Sequence, residues 1–361
     1  MKVTAPTGTA MILAAGFGTR MEPLTRERAK PALRLLDHPL IAWAMAGLAD
    51  ASVKRLVVNL HHLPESLEPD LERYARRLGL SLALSRETGA ILGTGGGLGA
   101  AAPLLLEGGA GTMALLNGDS LWFGDLAEAG RRHRAGGGIA SMLLQPPPPG
   151  SGYGAVETDA GGCVVSIAGA PEPASPPAAR WMFIGVHLLE PDLLQHIPAG
   201  RPSDINAGIY RGLIRRGVPV QGLPVRGRWL DFGTPRAFLA SALAILAHRV
   251  SGTPTLDLPL DPPGQFIAGD RPAYVGPSAE LAPGAEIDES IVGEGGFVAE
   301  GAHLRRSLLM EHCRLGRGVR LDGCLVGPGT ELPDGFSAAG ELLSRGEDGR
   351  PARRALGGVV G

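Results

Sequence analysis

Two glycines and an arginine follow an apolar run near the start of the chain. Residues 10–12 (Ala-Met-Ile) read as part of a buried strand, and Gly16, Gly18 and Arg20 come directly after it. Glycine lets the backbone turn sharply and approach a ligand closely. Backbone N–H groups in such a turn bind anions, and a guanidinium adds a fixed positive charge. This arrangement favours a triphosphate as the ligand.

The loop departs from two common phosphate-binding motifs. A dinucleotide fingerprint has its third glycine where this chain has Met21, and the stretch does not carry the Gly-Lys-Ser/Thr of a Walker loop. A plain turn between strand and helix is therefore an equal alternative for this stretch alone. Lys30, a second cation ahead of a proline, favours the phosphate-binding interpretation.

Two aspartates have the surroundings of metal ligands. Asp119 follows the strand-like run at residues 113–116, and ligands of open parallel sheets bind beyond the carboxyl ends of strands. Asp231 lies in the stretch Arg-Trp-Leu-Asp-Phe-Gly-Thr-Pro at residues 228–235. Hard carboxylate oxygens suit Mg²⁺. A cap or turn aspartate is the alternative at position 119, and at position 231 the residues alone favour a surface turn over a metal ligand.

A glycine-rich run, Gly-Thr-Gly-Gly-Gly at residues 93–97, precedes a predicted helix at residues 98–105. Such a run lets the backbone approach a flat ligand such as a base, and an ordinary loop is the alternative. The histidines that could suggest metal binding do not have carboxylate or cysteine partners at ligand spacing. We interpret them as surface or packing residues: His61, His62, His303 and His312.

Length and composition limit the function classes. A chain of 361 residues predicts two domains, and 44% apolar with 19% charged residues is typical of a globular protein. A formal charge of −2 argues against a nucleic-acid partner. Three cysteines without a Cys-x-x-Cys pair favour a reducing cytoplasm. The first residues have no apolar signal core and no run reaches membrane-spanning length, so we expect a cytoplasmic protein without a membrane partner.

Apolar runs alternate with helical patterns up to about residue 250. This alternation predicts an α/β fold with a mostly parallel, Rossmann-like sheet. The predicted strands are 11–14, 55–59, 80–84, 113–116, 139–144 and 183–188; the predicted helices are 39–49, 63–78, 98–105 and 125–134; and a hairpin is predicted over 153–167.

A repeat of 17 residues marks the C-terminal part, where Ala273, Ser290, Ser307 and Cys324 stand at equal intervals. Short fixed periods indicate a solenoid, and the pattern resembles a short left-handed parallel β-helix. The predicted boundaries are 1–250 for the catalytic domain, 251–264 for a linker, 265–340 for the β-helix and 341–361 for a mobile tail. Because open strand edges invite pairing, we expect the β-helix to serve assembly into a homo-oligomer or regulation. We also expect a chain cut after His248 to stay folded and active.

The run GFGTRMEPLTRERAKPAL resembles the opening motif of the sugar-phosphate nucleotidyltransferases, also called nucleotide-sugar pyrophosphorylases. Asn-Gly-Asp at 117–119 and the Trp-x-Asp-x-Gly-Thr-Pro element at 229–235 are similar to the metal-binding motifs of that family. The resemblance implies that Asp119 and Asp231 bind Mg²⁺ and act catalytically with Arg20 and Lys30. It implies nucleotide contacts at Leu13, Ala14, Ala15, Gly16, Gly18, Thr19, Glu87, Gly93, Thr94 and Gly95, and sugar-phosphate contacts at Gly154 and Gly185.

The activity that the resemblance implies is nucleotidyl transfer from an NTP to a sugar 1-phosphate, with GTP or UTP favoured as the donor. One departure concerns the sugar phosphate, because many members carry Glu-Lys-Pro where this chain has Ala-Gly-Ala-Pro at 168–171. Mannose-1-phosphate guanylyltransferases and N-acetylmuramate-1-phosphate uridylyltransferases are the members that the chain resembles most. Two other classes stay open: a non-catalytic regulatory or scaffold subunit of the same fold, and a β-helix acyltransferase.

Overall fold

The computed structural model describes residues 8–109, 111–148, 150, 155–198, 200–251, 258–346 and 350–357. They form two compact units. The sheet unit takes the described residues of Met1–Phe17 and Ala44–Trp229, and the coil unit takes those of Gly18–Trp43 and Leu230–Val360. The chain therefore passes from one unit to the other inside the predicted phosphate loop. The sequence-based boundaries placed residues 18–43 and 230–250 with the catalytic domain instead.

Strands and helices alternate through the first part of the chain, as the sequence predicts. In chain order the strands are β1 (Thr9–Leu13), β2 (Arg34–Leu35), β3 (His38–Pro39), β4 (Arg55–Leu60), β5 (Ser81–Arg86), β6 (Met113–Asn117), β7 (Ser120–Phe123), β8 (Ala140–Gln145), β9 (Ala155–Thr158), β10 (Val164–Ile167), β11 (Ala179–Leu189), β12 (Val220–Pro224) and β13 (Arg228–Asp231). The helices are α1 (Leu40–Asp50), α2 (Glu68–Leu78), α3 (Gly93–Leu106), α4 (Leu126–Gly136), α5 (Arg211–Arg215) and α6 (Pro235–Ser251). Short 3₁₀ or π segments lie at Thr19–Met21, Lys30–Ala32, Pro64–Ser66, Pro191–His196 and Ile205–Tyr210.

The large sheet of the sheet unit follows the order β10-β9-β11-β6-β1-β4-β5, and β8 joins it through β11 and carries β12. Strands β6, β1, β4 and β5 are all parallel to one another. Strand β11 runs antiparallel to β6, β8 and β9. The predicted α/β class is confirmed, and the antiparallel part supplies the predicted hairpin, β9 and β10.

The remaining strands build a stack of coils. They are β14 (Gln265–Ile267), β15 (Ala273–Val275), β16 (Glu280–Leu281), β17 (Glu286–Asp288), β18 (Ser290–Val292), β19 (Phe297–Val298), β20 (His303–Arg305), β21 (Leu308–Leu309), β22 (Arg314–Leu315), β23 (Arg320–Asp322), β24 (Leu325–Val326), β25 (Glu331–Leu332), β26 (Ser337–Ala339), β27 (Glu341–Arg345) and β28 (Pro351–Ala355). Every third strand pairs in parallel, which gives three parallel faces: β15-β18-β21-β24-β27, β16-β19-β22-β25 and β17-β20-β23-β26. The predicted parallel β-helix is confirmed.

The first residue of each repeat links one coil to the next inside the stack. Ser290 and Ser307 are fully buried. The Ser290 hydroxyl accepts a hydrogen bond from Ser307 N at 3.0 Å, and the Ser307 hydroxyl accepts one from Cys324 N at 3.0 Å. Each hydroxyl also donates to a backbone carbonyl. The Ser307 hydroxyl donates to Arg305 O at 2.8 Å. The small polar residues at this repeat position therefore fit inside the stack and also form hydrogen bonds between its coils.

The ends of the stack differ from the sequence-based expectation. Strand β14 covers β15 in antiparallel pairing, and β28 covers β27 in the same way. Residues 341–345, expected in a mobile tail, form the strand that pairs in parallel with β24. Of the predicted linker, residues 252–257 lie outside the described residues. Helix α6 packs on the face that contains β18, β21 and β24, so this face of the stack is covered as well.

Within the described residues, no helix combines the length and apolarity that crossing a bilayer requires. All three cysteines are free thiols, and Cys313 and Cys324 are buried in the stack.

We predict that Ser307→Ala destabilises the coil unit. The substitution leaves the buried Cys324 N and Arg305 O without their partner, a loss worth about 1–3 kcal/mol. Calorimetry should show the melting temperature of the coil unit falling by about 2–10 °C. Ser337→Ala, at an exposed strand position of the same stack, is the control and should change stability by less than about 0.5 kcal/mol. Equal melting of the two variants would contradict the link.

Candidate active site

Three neighbouring parallel strands end in one row at the edge of the sheet unit. Leu13 pairs in register with Asn59 on one side and Asn117 on the other. Gly118 N, one residue past this row, donates to Leu13 O at 2.9 Å. A Cβ on Gly118 would overlap Leu13 O, so only glycine permits this approach. Asp119 follows at once and is half-buried, at the carboxyl end where ligands of such sheets bind.

A buried side-chain network fixes the start of the phosphate loop. Ala14 N donates to Asn59 Oδ1 at 2.8 Å, and Asn59 Nδ2 donates to Glu87 Oε1 at 2.7 Å. The other carboxylate oxygen of Glu87 accepts from Leu92 N at 2.8 Å, just before α3. Glu87, predicted to contact nucleotide, thus uses both oxygens to hold protein groups. Its nucleotide contact stays a prediction.

Asn59 is a residue of the candidate site that the sequence analysis missed. It ends an apolar strand, Arg55–Leu60, and is itself 2% exposed. A buried amide needs hydrogen-bond partners, so an asparagine at the carboxyl end of a buried strand was the available signal.

The glycine run lies inside α3 rather than ahead of it, so the helix begins at Gly93 and not at the predicted residue 98. Gly95 N and Gly96 N donate to Ser203 O at 2.8 and 3.2 Å. A Cβ on Gly93 would lie 2.8 Å from that same oxygen, and one on Gly97 would lie 2.7 Å from both Asn59 and Glu87. Close packing against these groups therefore requires glycine and outweighs its low helix propensity.

Thr94, predicted to contact nucleotide, is held by the same neighbouring segment. Its hydroxyl accepts from Ile205 N at 2.9 Å and lies 3.1 Å from Asp204 Oδ2. The predicted nucleotide contacts of Gly93, Thr94 and Gly95 stay predictions. What the structure adds is that this helix start and residues 203–205 form one packed surface.

Gly185, predicted on the sugar-phosphate side, packs against the turn that carries Asp119. Its φ is +81°, and a Cβ there would lie 2.7 Å from Ser120 Oγ and 3.2 Å from the Asn117 side chain. The register between β11 and β8 shifts at this point, between Phe183 and His187. The second glycine predicted for the sugar-phosphate side, Gly154, lies outside the described residues.

The turn that replaces the family's Glu-Lys-Pro carries a cation from elsewhere in the chain. Ile167 O, at the start of this turn, accepts from Arg211 Nε at 3.1 Å and from an Arg211 terminal nitrogen at 2.7 Å. Ala168 and Gly169 both have positive φ, 47° and 77°. The guanidinium of Arg211 is thus fixed beside the tight turn where family members place a lysine.

In the coil unit, Gly18 packs directly against Lys30. Gly18 has a φ of +66°, and a Cβ on it would lie 3.0 Å from Thr25 Cγ2 and 3.1 Å from Lys30 Cβ. Gly18 O accepts from Thr25 Oγ1 at 2.9 Å and from Met21 N at 2.8 Å. Lys30 is 7% exposed, so packing restricts the conformation of its side chain. Gly18 and Lys30, predicted for the same site, are neighbours.

Arg20 and Asp231 meet at Gly233, also within the coil unit. A Cβ on Gly233 would lie 2.9 Å from Asp231 Oδ1 and 3.4 Å from a guanidinium nitrogen of Arg20. Gly233 N donates to Asp231 Oδ1 at 2.8 Å, and Ser241 Oγ in α6 donates to Asp231 O at 2.7 Å. A predicted catalytic cation and a predicted metal ligand are therefore brought together across one glycine.

The two candidate ligands of Mg²⁺ are the carboxylates of Asp119 and Asp231. Among the described residues, no group of three or more His, Cys, Asp or Glu side chains is placed to hold a metal ion. Mg²⁺ is usually bound through one or two carboxylates together with substrate phosphates. Asp119 and Asp231 are both half-buried oxygen donors, which fits that manner of binding.

The histidines of the sequence analysis have packing partners. His61 Nδ1 lies 3.0 Å from Glu87 O, and the rings of His61 and His62 both meet the Phe17 ring edge-to-face. His303 Nδ1 lies 3.4 Å from Glu286 on the outside of the stack. These contacts agree with the interpretation of the histidines as surface or packing residues.

Comparison with known proteins places the chain in a family. The chain belongs to the nucleotidyl transferase family, whose sequence profile matches residues 9–248. Residues 275–359 match a second profile, that of the GlmU-like C-terminal hexapeptide domain. The family matches the resemblance drawn from the loop motif, and the second match agrees with the coil stack.

Curated relatives cover most of the chain. A UTP–glucose-1-phosphate uridylyltransferase of Synechocystis sp. is 28% identical over 341 residues, covering 88% of this chain and 86% of the relative. A mannose-1-phosphate guanylyltransferase of Mycobacterium tuberculosis is 27% identical over 308 residues, covering 82% and 83%. Mannose-1-phosphate guanylyltransferase 1 of Arabidopsis thaliana is 27% identical over 324 residues, covering 88% and 85%.

We predict that Gly118→Ala destabilises the sheet unit, because the new methyl group overlaps Leu13 O and breaks the hydrogen bond from Gly118 N. A loss of about 1–3 kcal/mol is expected by thermal unfolding. Gly47→Ala is the matched control, since Gly47 lies exposed in α1 with nothing within 4 Å of its Cβ position. It should stabilise by about 0.5–1 kcal/mol. The same sign for both variants would count against the close approach.

Proposed function

We propose that this protein transfers a nucleotidyl group from an NTP to a sugar 1-phosphate, giving an NDP-sugar and pyrophosphate. The observation that carries the proposal is the pair of cationic sites in a nucleotidyl transferase family member: Lys30 against Gly18, and Arg20 with Asp231 at Gly233. Phosphoryl chemistry needs this kind of fixed positive charge beside oxygen donors.

In this reaction a phosphate oxygen of the sugar 1-phosphate attacks the α-phosphorus of the NTP in line. The new bond joins that oxygen to the α-phosphorus, and the bond from the α-phosphorus to the bridging oxygen of the β-phosphate breaks, so that pyrophosphate leaves. Positioning and charge neutralisation carry most of the catalysis of such transfers. Arg20 binds the departing β- and γ-phosphates, and Lys30 neutralises charge that develops at the α-phosphate.

The backbone N–H groups of residues 13–19 bind the triphosphate, as the nest of a glycine-rich turn can. Asp119 and Asp231 would each offer a carboxylate oxygen to Mg²⁺, and the ion would supply charge neutralisation for the phosphate oxygens. The fit of these two oxygen donors to Mg²⁺ supports the assignment.

GTP or UTP is the donor that we favour. The relatives named above carry the names uridylyltransferase and guanylyltransferase. Arg211, fixed on the turn at Ile167, is our candidate for the cation that meets the sugar phosphate. Release of pyrophosphate from each of four NTPs, against glucose, mannose and N-acetylated sugar 1-phosphates, tests the proposal on the full chain. Nucleotide binding without pyrophosphate release from any pair would instead indicate a regulatory subunit.

Assembly and location remain proposals as well. We propose that the coil stack mediates a homo-oligomer through faces other than the one on which α6 packs. A cytoplasmic location follows from the sequence-based expectation alone.

We predict that Asp119→Asn abolishes most of the activity while the fold survives. The amide keeps the shape and removes the charge, and the loss of one such electrostatic partner costs on the order of 10²–10³ in rate. Asp231→Asn should act alike, and the double variant should lose far less than the product of the two. Asp50→Asn, at the exposed end of α1, is the control. Near wild-type turnover of Asp119→Asn at saturating Mg²⁺ would remove the metal assignment.

We further predict that Arg20→Ala and Lys30→Met impair both the forward reaction and its reversal by pyrophosphate. The phosphates lose a cation in each case, and no other group replaces it. Turnover should fall about 10²-fold or more in both directions. Arg320→Ala and Lys54→Met, both at exposed positions, are the matched controls. A variant that keeps its rate in both directions does not bind the phosphates through the altered residue.

A further inference from the structure

The segment Gly18–Trp43, which carries Arg20 and Lys30, lies along one corner of the coil stack. The corner is formed by repeat positions that follow the strands of the first face: Gly276, Glu294, Glu311 and Gly327. Going along the stack from its first coil, the partners on the segment run backwards: Asp37, then Arg28, then Leu24. The segment therefore follows the stack coil by coil, in antiparallel sense.

Asp37 makes the first of these contacts and is buried. Its Oδ1 accepts from Glu294 N at 2.8 Å, and its Oδ2 accepts from the Tyr274 hydroxyl at 2.9 Å. That hydroxyl also accepts from Gly264 N at 2.9 Å. Gly276 has no room for a side chain, since a Cβ there would overlap Asp37 Oδ2. Burial raises the pKa of the Asp37 carboxyl, and the two hydrogen bonds oppose that rise.

Asp37 also belongs to a turn whose backbone is strained. Strands β2 and β3 pair antiparallel and leave only Leu36 and Asp37 between them, with φ of 49° and 63°. A two-residue turn with both φ values positive is of the type that favours Asn-Gly or Gly-Gly. A leucine in this conformation costs free energy, and it persists where surrounding contacts hold it. The contacts with Tyr274 and Glu294 do this here.

The next coil binds Arg28. Its guanidinium donates to Glu311 Oε1, and Glu311 is 7% exposed. An ion pair whose acid partner is that buried is expensive to break, because the removal of Arg28 would leave a buried charge. Arg28 lies two residues from Lys30 along the segment.

The last coils hold the part of the segment that follows Arg20. The Leu24 side chain fills the space over Gly327, where a Cβ would lie 2.6 Å from Leu24 Cδ2. Arg354 in β28 donates to Glu22 O at 2.6 Å. On the neighbouring face, α6 packs on the stack and its Ser241 binds the backbone of Asp231. Contacts with the coils therefore flank Arg20 and Lys30 along the segment, and α6 links Asp231 to the stack.

We propose that the coil stack is the positioning platform of the catalytic cations. Asp37, Tyr274, Arg28 and Glu311 act as positioning residues through the segment that they bind, and they do not touch substrate. The proposal rests on the proposed function, because Arg20 and Lys30 matter here as phosphate ligands. It also replaces the expectation that a chain cut after His248 stays active, since such a cut removes Tyr274, Glu294 and Glu311, which bind the segment.

The test compares Glu311→Gln and Asp37→Asn with the control Asp322→Asn. Gln keeps the shape of Glu311 but gives up the charge that holds Arg28. Asn at position 37 has one acceptor oxygen for the two donors that face it, Glu294 N and the Tyr274 hydroxyl. The control removes a carboxylate that pairs with Arg305 and Arg306 on an exposed face of the same stack. Arg28→Gln attacks the ion pair from its more exposed side, in case a buried change prevents folding.

Three readouts are taken on the full chain: kcat and KM of pyrophosphate release, Kd for inorganic pyrophosphate by calorimetry, and amide hydrogen exchange. In the positioning variants we expect kcat to fall about 10-fold with the KM for sugar 1-phosphate within about 2-fold. The Kd for pyrophosphate should rise about 10-fold, and exchange should quicken in residues 18–43 but not in β1, β4 or β6. The control should leave all three unchanged.

If the positioning variants of an active protein keep their kcat and their affinity for pyrophosphate, the proposal is overturned. If the wild type binds pyrophosphate but turns over no sugar 1-phosphate, the proposed function fails. The platform then stands or falls on whether the variants weaken that binding. A general fall in melting temperature with exchange quickened throughout both units also overturns the proposal, because it indicates a merely structural role.

Discussion

One buried amide, that of Asn59, links the loop after β1 to the start of α3 in the sheet unit. It accepts from Ala14 at the start of the loop and donates to Glu87, which in turn accepts from the residue before α3. Buried polar groups of this kind are costly when any partner is missing, so the network has one stable arrangement. The glycines around it are consequences: Gly97 leaves room for the Asn59–Glu87 pair, and the glycine after β6 lets that strand end approach Leu13.

In the coil unit, the stacked coils order a segment of the chain that is distant in sequence. Repeats of coils give a rigid, regular surface, because each coil pairs with its neighbour over all three faces. An irregular segment of the chain gains order by adding one contact per coil. The segment 18–43 has little regular structure of its own, only two 3₁₀ turns, a two-residue hairpin and the first turn of α1. Its conformation is therefore stabilised largely by contacts with residues that lie far along the chain, such as Tyr274 and Glu311.

Much of the fold could be predicted because its signals are local. Apolar runs marked β1, β4 and β6 to within a residue or two, and the 17-residue spacing marked the coils. The same spacing carries on to Leu342 and Leu343, but the polar residues around them hid that last coil.

Contacts between residues distant in sequence could not be predicted. The helix at 98–105 was predicted to begin after the glycine run, whereas α3 includes the run and packs it against Ser203. Asn59 and Asp37 looked ordinary because their partners are distant in sequence. The roles of Arg20 and Asp231 came from motif resemblance, and their meeting at Gly233 could not be read from spacing.

The separation in sequence between Asp37 and Tyr274, 237 residues, has a consequence for synthesis. At roughly 5–20 residues per second, the hairpin at Asp37 waits about 10–50 s on the ribosome before its partner has been made. During that time its left-handed turn lacks the contact with Tyr274, and Leu24 lacks the coil against which it packs. The segment that carries Asp37 therefore cannot reach its final conformation in the order in which it is translated.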